Sequence, residues 1–156
     1  MKNILITGGA GYIGAHVTEL FIKKKKNIFI VDNLSTGFKK LLNRKAHFTN
    51  LNILNTPKLK KIIIKNKIDS VIHLAGSLSI AVGEKYPELY YKNNVLGTKS
   101  LLKACNNSLV KTFIFSSTAA VYKEGQKVVS EKSNVNPKSV YGKTKLLSEK
   151  QIILNC

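Results

Sequence analysis

A tyrosine and a lysine four residues apart open a predicted helix near the end of the chain. The segment Tyr141-Gly-Lys-Thr-Lys145 places both side chains on one face of that helix, because residues i and i+4 lie one above the other. An ammonium close to a phenol favours the phenolate, which is the form that acts as a general base. Tyr-x-x-x-Lys occurs by chance in many helices, so the pair predicts a proton-abstracting site only in combination with other motifs.

Three successive hydroxyl side chains stand upstream of this pair. They form Ser116-Ser-Thr118, directly after the apolar run Phe113-Ile-Phe115. That run predicts a strand, and open α/β sheets build their sites at the carboxyl ends of their strands. The hydroxyl segment and the Tyr-Lys pair are therefore candidates for one catalytic site.

Glycines dominate a predicted strand-to-helix turn near the start of the chain. In Thr7-Gly-Gly-Ala-Gly-Tyr-Ile-Gly14 the spacing satisfies G-x-x-G-x-x-G through Gly8, Gly11 and Gly14. Glycine lets the backbone turn sharply and approach a pyrophosphate, and the following helix N-terminus offers free N–H groups to the phosphates. An ordinary βα turn is the alternative. The strand before it, the helix after it and the 30-residue βαβ unit from 3 to 32 favour a dinucleotide site.

An acidic residue ends the second strand of that unit. Asp32 follows Gly14 by 18 residues, and a carboxylate at this point accepts from both hydroxyls of an adenosine ribose and repels a 2′-phosphate. The sequence therefore predicts NAD as the cofactor, in preference to NADP.

The elements that position these motifs follow from the hydrophobic pattern. Short apolar runs rich in β-branched residues predict buried parallel strands at 4–6, 28–31, 71–74 and 113–115, with a weaker strand at 46–49. Helical periodicity extends over 12–25, 57–67, 88–106 and 141–154. The alternation predicts an α/β fold, a Rossmann-type doubly wound parallel β-sheet with helices on both faces. The last helix is still periodic where the sequence stops, so we expect a fold truncated on its C-terminal side.

The composition limits the partners. The net charge of +18 is typical of nucleic-acid binders, but Arg44 is the only arginine, and base and phosphate recognition favours arginine. We interpret the charge as a compositional bias toward lysine and predict no nucleic-acid partner. No run approaches the roughly 18 apolar residues of a membrane span, so we expect a soluble, cytoplasmic protein without a membrane partner. Cys105 and Cys156 lack metal-ligand spacing, which predicts reduced thiols and no metal site.

In combination, these motifs resemble the extended short-chain dehydrogenase/reductases over essentially the whole chain, and most closely their nucleotide-sugar 4-epimerases. The hydroxyl segment Phe115-Ser-Ser-Thr118 and three further segments carry the resemblance: Val31-Asp-Asn-Leu-Ser-Thr-Gly37, Val71-Ile-His-Leu-Ala-Gly76 and Tyr90-Tyr-Lys-Asn-Asn-Val95. The resemblance implies NAD-dependent interconversion of UDP-glucose and UDP-galactose through a transient 4-keto sugar. It assigns Tyr141 to proton removal from the 4-hydroxyl, Thr118 to a hydrogen bond with the same oxygen, and Lys145 to the nicotinamide ribose.

The same resemblance implies a wider set of cofactor-binding residues. They are Gly8, Gly11, Tyr12, Ile13 and Gly14 at the pyrophosphate, Asp32 and Asn33 at the ribose, Asn52 at the adenine, Leu74, Ala75 and Gly76 near the phosphates, and Ile53, Asn93, Ser116, Tyr141 and Lys145. Asn52 replaces the aspartate that relatives usually carry, and its amide oxygen can still accept a bond from the adenine amino group.

The resemblance also implies a larger protein. Complete relatives continue with a domain that binds the uridine nucleotide, so we expect 1–156 to be the NAD-binding Rossmann domain of a homodimeric enzyme, inactive on its own and without its C-terminal substrate domain. The helices 88–106 and 141–154 match those through which relatives dimerise. On them, Tyr90, Tyr91 and Leu101 either line that surface or pack against the sheet.

Alternative activities differ in a few residues. Sugar 4,6-dehydratases carry an Asp-Glu pair where this chain has Ala119-Ala120, which disfavours a dehydratase. A decarboxylase, another epimerase or a non-catalytic NAD-binding protein stays open, as does the identity of the nucleotide sugar.

Overall fold

The computed structural model describes residues 1–125 and 128–155 and contains a five-stranded parallel sheet. The strands are β1 (Asn3–Thr7), β2 (Asn27–Asp32), β3 (His47–Asn50), β4 (Ser70–His73) and β5 (Thr112–Phe115), in the spatial order β3-β2-β1-β4-β5. The chain winds outward from β1 to β3 and returns to β4. The switch of direction between β1 and β4 is where open sheets bind their ligands.

Six α-helices are present in the described part of the chain. They are α1 (Tyr12–Lys23), α2 (Thr56–Lys65), α3 (Ile80–Lys85), α4 (Pro87–Tyr90), α5 (Gly97–Cys105) and α6 (Val140–Ile153); a π-helical segment (Tyr91–Leu96) joins α4 to α5, and 3₁₀ turns lie at Lys39–Leu41 and Ala119–Val121. The predicted doubly wound fold is confirmed. The predicted helix 88–106 is α4, the π-segment and α5 in succession, and α3 was not predicted. Among the described helices, none combines the length and the apolar composition of a membrane span.

The described residues form two compact units. The first comprises 1–75 and 100–116, and therefore holds all five strands together with α1 and α2. The second comprises 76–99 and the residues from 117 onward, and holds α3, α4, the π-segment and α6. Cys156, expected to be a reduced thiol, lies outside the described residues.

The first unit buries apolar side chains on both faces of its sheet. Ile4 of β1 packs with Phe21 of α1 on one face, while Leu5 packs on the other face with Leu59 of α2 and Leu101 of α5. Side chains alternate between the faces of a strand, so two buried faces require the continuous apolar runs seen in the sequence. Leu101 is completely buried in this core, so the packing alternative holds for it and it lies on no dimer surface.

Candidate functional site

The glycine turn of the first unit lies against the ends of β2 and β4. Gly8 has a φ of +75°, which L-residues rarely adopt, and its N–H donates to the Val31 carbonyl at 3.0 Å. A Cβ on Gly8 would lie 2.6 Å from the Ala75 nitrogen, and one on Gly14 would collide with the Gly8 carbonyl oxygen. The close packing of turn, helix and strand ends therefore requires glycine at both positions.

The N-terminus of α1 lies in the glycine turn. Gly11 is its N-cap, and within the described residues no side chain caps it and no acidic residue lies in its first turn. The first N–H groups of a helix have no intrahelical partner and attract anions. Tyr12 and Ile13, on this turn, are 76% and 58% exposed, and the Tyr12 ring lies against the His16 ring.

Asp32 is buried beside the turn, with only 8% of its surface exposed. One carboxylate oxygen accepts from the Ala10 N–H at 3.0 Å and the other from the Leu34 N–H at 2.8 Å. These bonds fix the orientation of the carboxylate, and each oxygen retains acceptor capacity for a ribose hydroxyl. A ribose contact stays a prediction for Asp32. The sequence did not indicate that this carboxylate also joins the glycine turn to the segment after β2.

The other predicted adenosine-side residues differ in exposure. Asn33 and Asn52 are exposed, and each side-chain oxygen accepts a backbone N–H two residues further on, from Ser35 at 3.1 Å and from Leu54 at 2.9 Å. The side chain of Ile53 packs in the core, so a contact between Ile53 and a cofactor would have to use its main chain.

The predicted residues after β4 and β5 are held at the carboxyl ends of the parallel strands. The Leu74 and Ala75 N–H groups donate to Thr7, to its carbonyl at 3.0 Å and its Oγ1 at 3.4 Å. The Ser116 N–H donates to the His73 carbonyl at 3.2 Å, and His73 Nδ1 lies 2.6 Å from Thr7 Oγ1. The carboxyl ends of β1, β4 and β5 thus meet where the glycine turn begins.

In the second unit, two side chains hold the start of α6. Ser139 caps the helix, with its Oγ accepting from the Gly142 N–H at 3.0 Å. Glu84 of α3 supplies a carboxylate oxygen that accepts from the Val140 N–H at 2.7 Å. A carboxylate at a helix N-terminus is stabilised by the helix dipole. Tyr141 lies in this doubly held first turn.

The turn that carries Thr118 packs against the same helix end. Thr118 Oγ1 accepts from the Ala120 N–H at 3.2 Å, which fixes the side chain as the cap of the 3₁₀ turn. A Cβ on Gly142 would collide with the Ala120 carbonyl oxygen. The absence of that Cβ lets the Thr118 turn approach the residue that follows Tyr141.

Lys145, one helical turn after Tyr141, is only 4% exposed. Burial lowers the pKa of its ammonium to about 8, and the nearby carboxylate of Glu149 opposes that shift. The Lys145 Nζ lies 3.9 Å from the point where a Cβ on Gly76 would stand. Two predicted cofactor-binding residues, Gly76 and Lys145, are therefore neighbours.

Asn94 is a residue of this unit that the sequence did not indicate. It lies in the π-segment, is 3% exposed, and its amide bonds the Ser77 N–H at 2.7 Å, the Ser77 carbonyl at 3.2 Å and Thr144 Oγ1 at 3.1 Å. The predicted Asn93 beside it donates to Ser77 Oγ at 2.9 Å. Asn94 thus ties the segment after Gly76 to α6. The pair Asn93-Asn94 is visible in the sequence, but the bond between Asn94 and Thr144 is not.

Tyr90 is internal rather than part of a surface. Its hydroxyl donates to the Ser79 carbonyl at 2.6 Å, and the whole residue is buried. Burial raises the pKa of the Tyr90 phenol, and the neighbouring Tyr141 adds to that increase. Tyr90 is therefore buried inside the second unit, where its ring lies against Gly83 of α3, while Tyr91 is exposed.

Residues 4–154 match the model of the NAD dependent epimerase/dehydratase family. The UDP-glucose 4-epimerase of Lactobacillus helveticus is 40% identical over 148 residues, which are 94% of this chain and 45% of that protein. The structure of the UDP-glucose 4-epimerase of Thermotoga maritima with UDP-glucose gives a TM-score of 0.94 at 36% identity, over 98% of this chain and 50% of that one. The structure of the UDP-glucose 4-epimerase of Brucella ovis in complex with NAD gives a TM-score of 0.93 at 36% identity, over 98% of this chain and 47% of that one. The chain spans about half the length of these relatives.

Proposed function

Because this chain belongs to the NAD dependent epimerase/dehydratase family, we propose that it is the N-terminal half of an NAD-dependent epimerase that interconverts UDP-glucose and UDP-galactose at C4. The observation that carries the proposal is the second unit, where the Thr118 turn packs on the first turn of α6 and a buried Lys145 follows Tyr141 by one turn. The activities named for the similar proteins support the choice of substrate.

The first unit fits the adenosine and phosphate part of NAD. A pyrophosphate needs close access to backbone, and Gly8 and Gly14 provide it in a turn where a Cβ would collide with its neighbours. The uncapped N-terminus of α1 offers N–H donors, and Asp32 offers an oriented carboxylate to the ribose. When bound, NAD supplies the oxidising and reducing capacity at the sugar carbon.

The second unit supplies the acid-base chemistry. Tyr141, as phenolate, removes the proton of the sugar 4-hydroxyl and later returns one to the same oxygen, while the Thr118 hydroxyl bonds that oxygen. The Lys145 ammonium favours the phenolate by its charge. Tyr90 has a raised pKa and stays neutral, so it places no second negative charge beside Tyr141. The sugar leaves with its oxidation state unchanged.

The turn after Thr118 agrees with an epimerase rather than a dehydratase. It consists of Ala119, Ala120 and Val121, and none of these side chains can move protons at C5 and C6 of a sugar. Proton transfer at this position is therefore limited to the oxygen of the sugar 4-hydroxyl.

The proposal includes a cytoplasmic homodimer. The exposed apolar side chains of Leu89 in α4, Tyr91 in the π-segment and Leu147 in α6 support a partner surface on these helices. The cytoplasmic location rests on the sequence-based expectation.

The test uses the full-length protein. Incubated with UDP-galactose and no added reductant, it should form UDP-glucose, and Tyr141→Phe should lower kcat by about 100-fold or more, the usual size of a general-base contribution. Tyr86→Phe, at an exposed tyrosine, is the matched control and should keep the wild-type rate. Undiminished turnover by Tyr141→Phe, or no epimerisation by the wild type, would refute the proposal.

A further inference from the structure

We propose that Ser117 and Glu149 form a positioning pair that holds a carboxylate close to Lys145 and so keeps the lysine protonated in the catalytic site. This inference rests on the proposed function, because Lys145 matters there as the cation that supports the Tyr141 phenolate. Ser117 lies in the hydroxyl segment after β5 but has no role in the proposed function, and Glu149 belongs to none of the motifs from which that function was inferred.

The geometry of the pair is set by α6 and by the segment after β5. Glu149 follows Lys145 by four residues, so both side chains lie on one face of α6. The Ser117 hydroxyl donates to Glu149 Oε1, and both residues are partly buried. Ser117 directly precedes Thr118. Two adjacent hydroxyls thus have different partners, since Thr118 caps its 3₁₀ turn and Ser117 bonds the carboxylate of Glu149.

The electrostatics explain why Lys145 needs this carboxylate. Burial is the dominant influence on the Lys145 ammonium and lowers its pKa to about 8, while the negative charge of Glu149 acts in the opposite direction. Because a pKa of about 8 is close to neutral pH, a further decrease would deprotonate Lys145. The resulting neutral amine would no longer favour a phenolate. The hydrogen bond from Ser117 keeps Glu149 from turning toward solvent, where its charge would be screened.

Other charged and titratable groups near α6 do not replace Glu149. The elements packed against α6 carry the following: Glu84 and Lys85 of α3, Glu88 and Tyr90 of α4, and Tyr91 and Lys92 of the π-segment. Glu84 bonds the Val140 N–H at the start of the helix, and Tyr90 is neutral because its pKa is raised. The remaining four are exposed. The negative charge of Glu149 raises the pKa of Lys145.

The experiment compares Glu149→Gln with the wild type in the full-length protein. The first readout is the Lys145 pKa, from the pH dependence of its 13Cε resonance in protein labelled at lysine and assigned with Lys145→Arg. Removal of the carboxylate charge should lower this pKa by about one unit. Ser117→Ala should lower it by a smaller amount, and Glu149→Asp, which keeps the charge, should restore most of the wild-type value.

The second readout is the pH profile of kcat. A pKa near 8 that falls by about one unit leaves Lys145 protonated at about pH 6 but lowers its protonated fraction about fivefold at about pH 8. Glu149→Gln should therefore match the wild type at the lower pH and lose about fivefold at the higher one. Glu131→Gln removes an equal charge from an exposed site of the same unit and should change neither readout.

An unchanged Lys145 pKa in Glu149→Gln would overturn the inference, as would an equal loss of kcat at both pH values, which indicates a merely structural role. The resonance titration needs no turnover. It therefore decides the inference even if the full-length protein proves not to be an epimerase. If Glu149→Gln does not fold, the same titration of Ser117→Ala decides it.

Discussion

Gly8 and Asp32 contribute to the proposed NAD site in opposite ways. Gly8 acts through the absence of a side chain, since its φ of +75° and its packing against Ala75 leave no space for a Cβ. Asp32 acts through a carboxylate that Ala10 and Leu34 already orient. At both positions the backbone is arranged before a ligand arrives, which lowers the ordering cost of binding.

Gly8→Ala should lower the free energy of unfolding by about 2–4 kcal/mol, because it adds both a disfavoured φ and a steric overlap. Gly125→Ala is the matched control, with a φ of +83° and no heavy atom within 4 Å of an added Cβ. It should cost only about 1 kcal/mol, for the φ alone. Urea denaturation measures both values, and equal losses would show that the turn is not closely packed at Gly8.

Residue-scale features could be predicted only where they are local in sequence. The glycine spacing, Asp32 and the pair Tyr141 and Lys145 are short-range patterns that a single segment displays. The bond between Asp32 and Ala10 joins residues 22 apart, and Asn94 meets Thr144 across 50 residues. No periodicity or spacing encodes such pairs, so Asn94 was missed.

Among the elements, α6 has a buried face that is polar. Its buried residues are Gly142, Thr144, Lys145 and Ser148, and hydrogen bonds to Asn94 take the place of apolar packing. A polar buried face positions side chains for chemistry but contributes little hydrophobic stabilisation. The caps at its first turn therefore account for a larger share of the stability of α6 than caps do in an apolar helix.

Ser139→Ala should lower the free energy of unfolding by about 1 kcal/mol, the usual cost of a lost N-cap.

Glu84→Ala should speed hydrogen exchange at the Val140 amide, because it removes the carboxylate that accepts from it. Glu84→Gln retains an acceptor oxygen and should preserve most of the protection. Equal exchange rates in both Glu84 variants and the wild type would mean that α3 does not hold the start of α6.

Helix α6 was predicted within one residue at each end, but two neighbouring elements were not predicted correctly. The helix α3 has a sequence signal in Ser79, whose Oγ accepts from the Val82 N–H as an N-cap does. The π-segment within the predicted helix 88–106 has none, because its apolar residues follow the helical pattern closely enough to be taken for a regular helix.

At the scale of the whole molecule, each of the two units holds a different set of the candidate residues. The first carries the sheet, the glycine turn and Asp32, and the second carries Tyr141 and Lys145. The parallel sheet could be predicted because strands buried on both faces have a distinctive composition. The assignment of 1–156 to one NAD-binding domain stays a prediction. The described residues divide into two compact units, and 100–116 belong to the unit that holds the sheet.

Calorimetric titration of the chain with NAD and with NADP tests the central claim most directly, with folding checked by circular dichroism. We predict that NAD binds at least about tenfold more tightly than NADP, because the buried carboxylate of Asp32 repels a 2′-phosphate. Equal affinities, a preference for NADP, or a folded chain that binds neither dinucleotide would contradict the account.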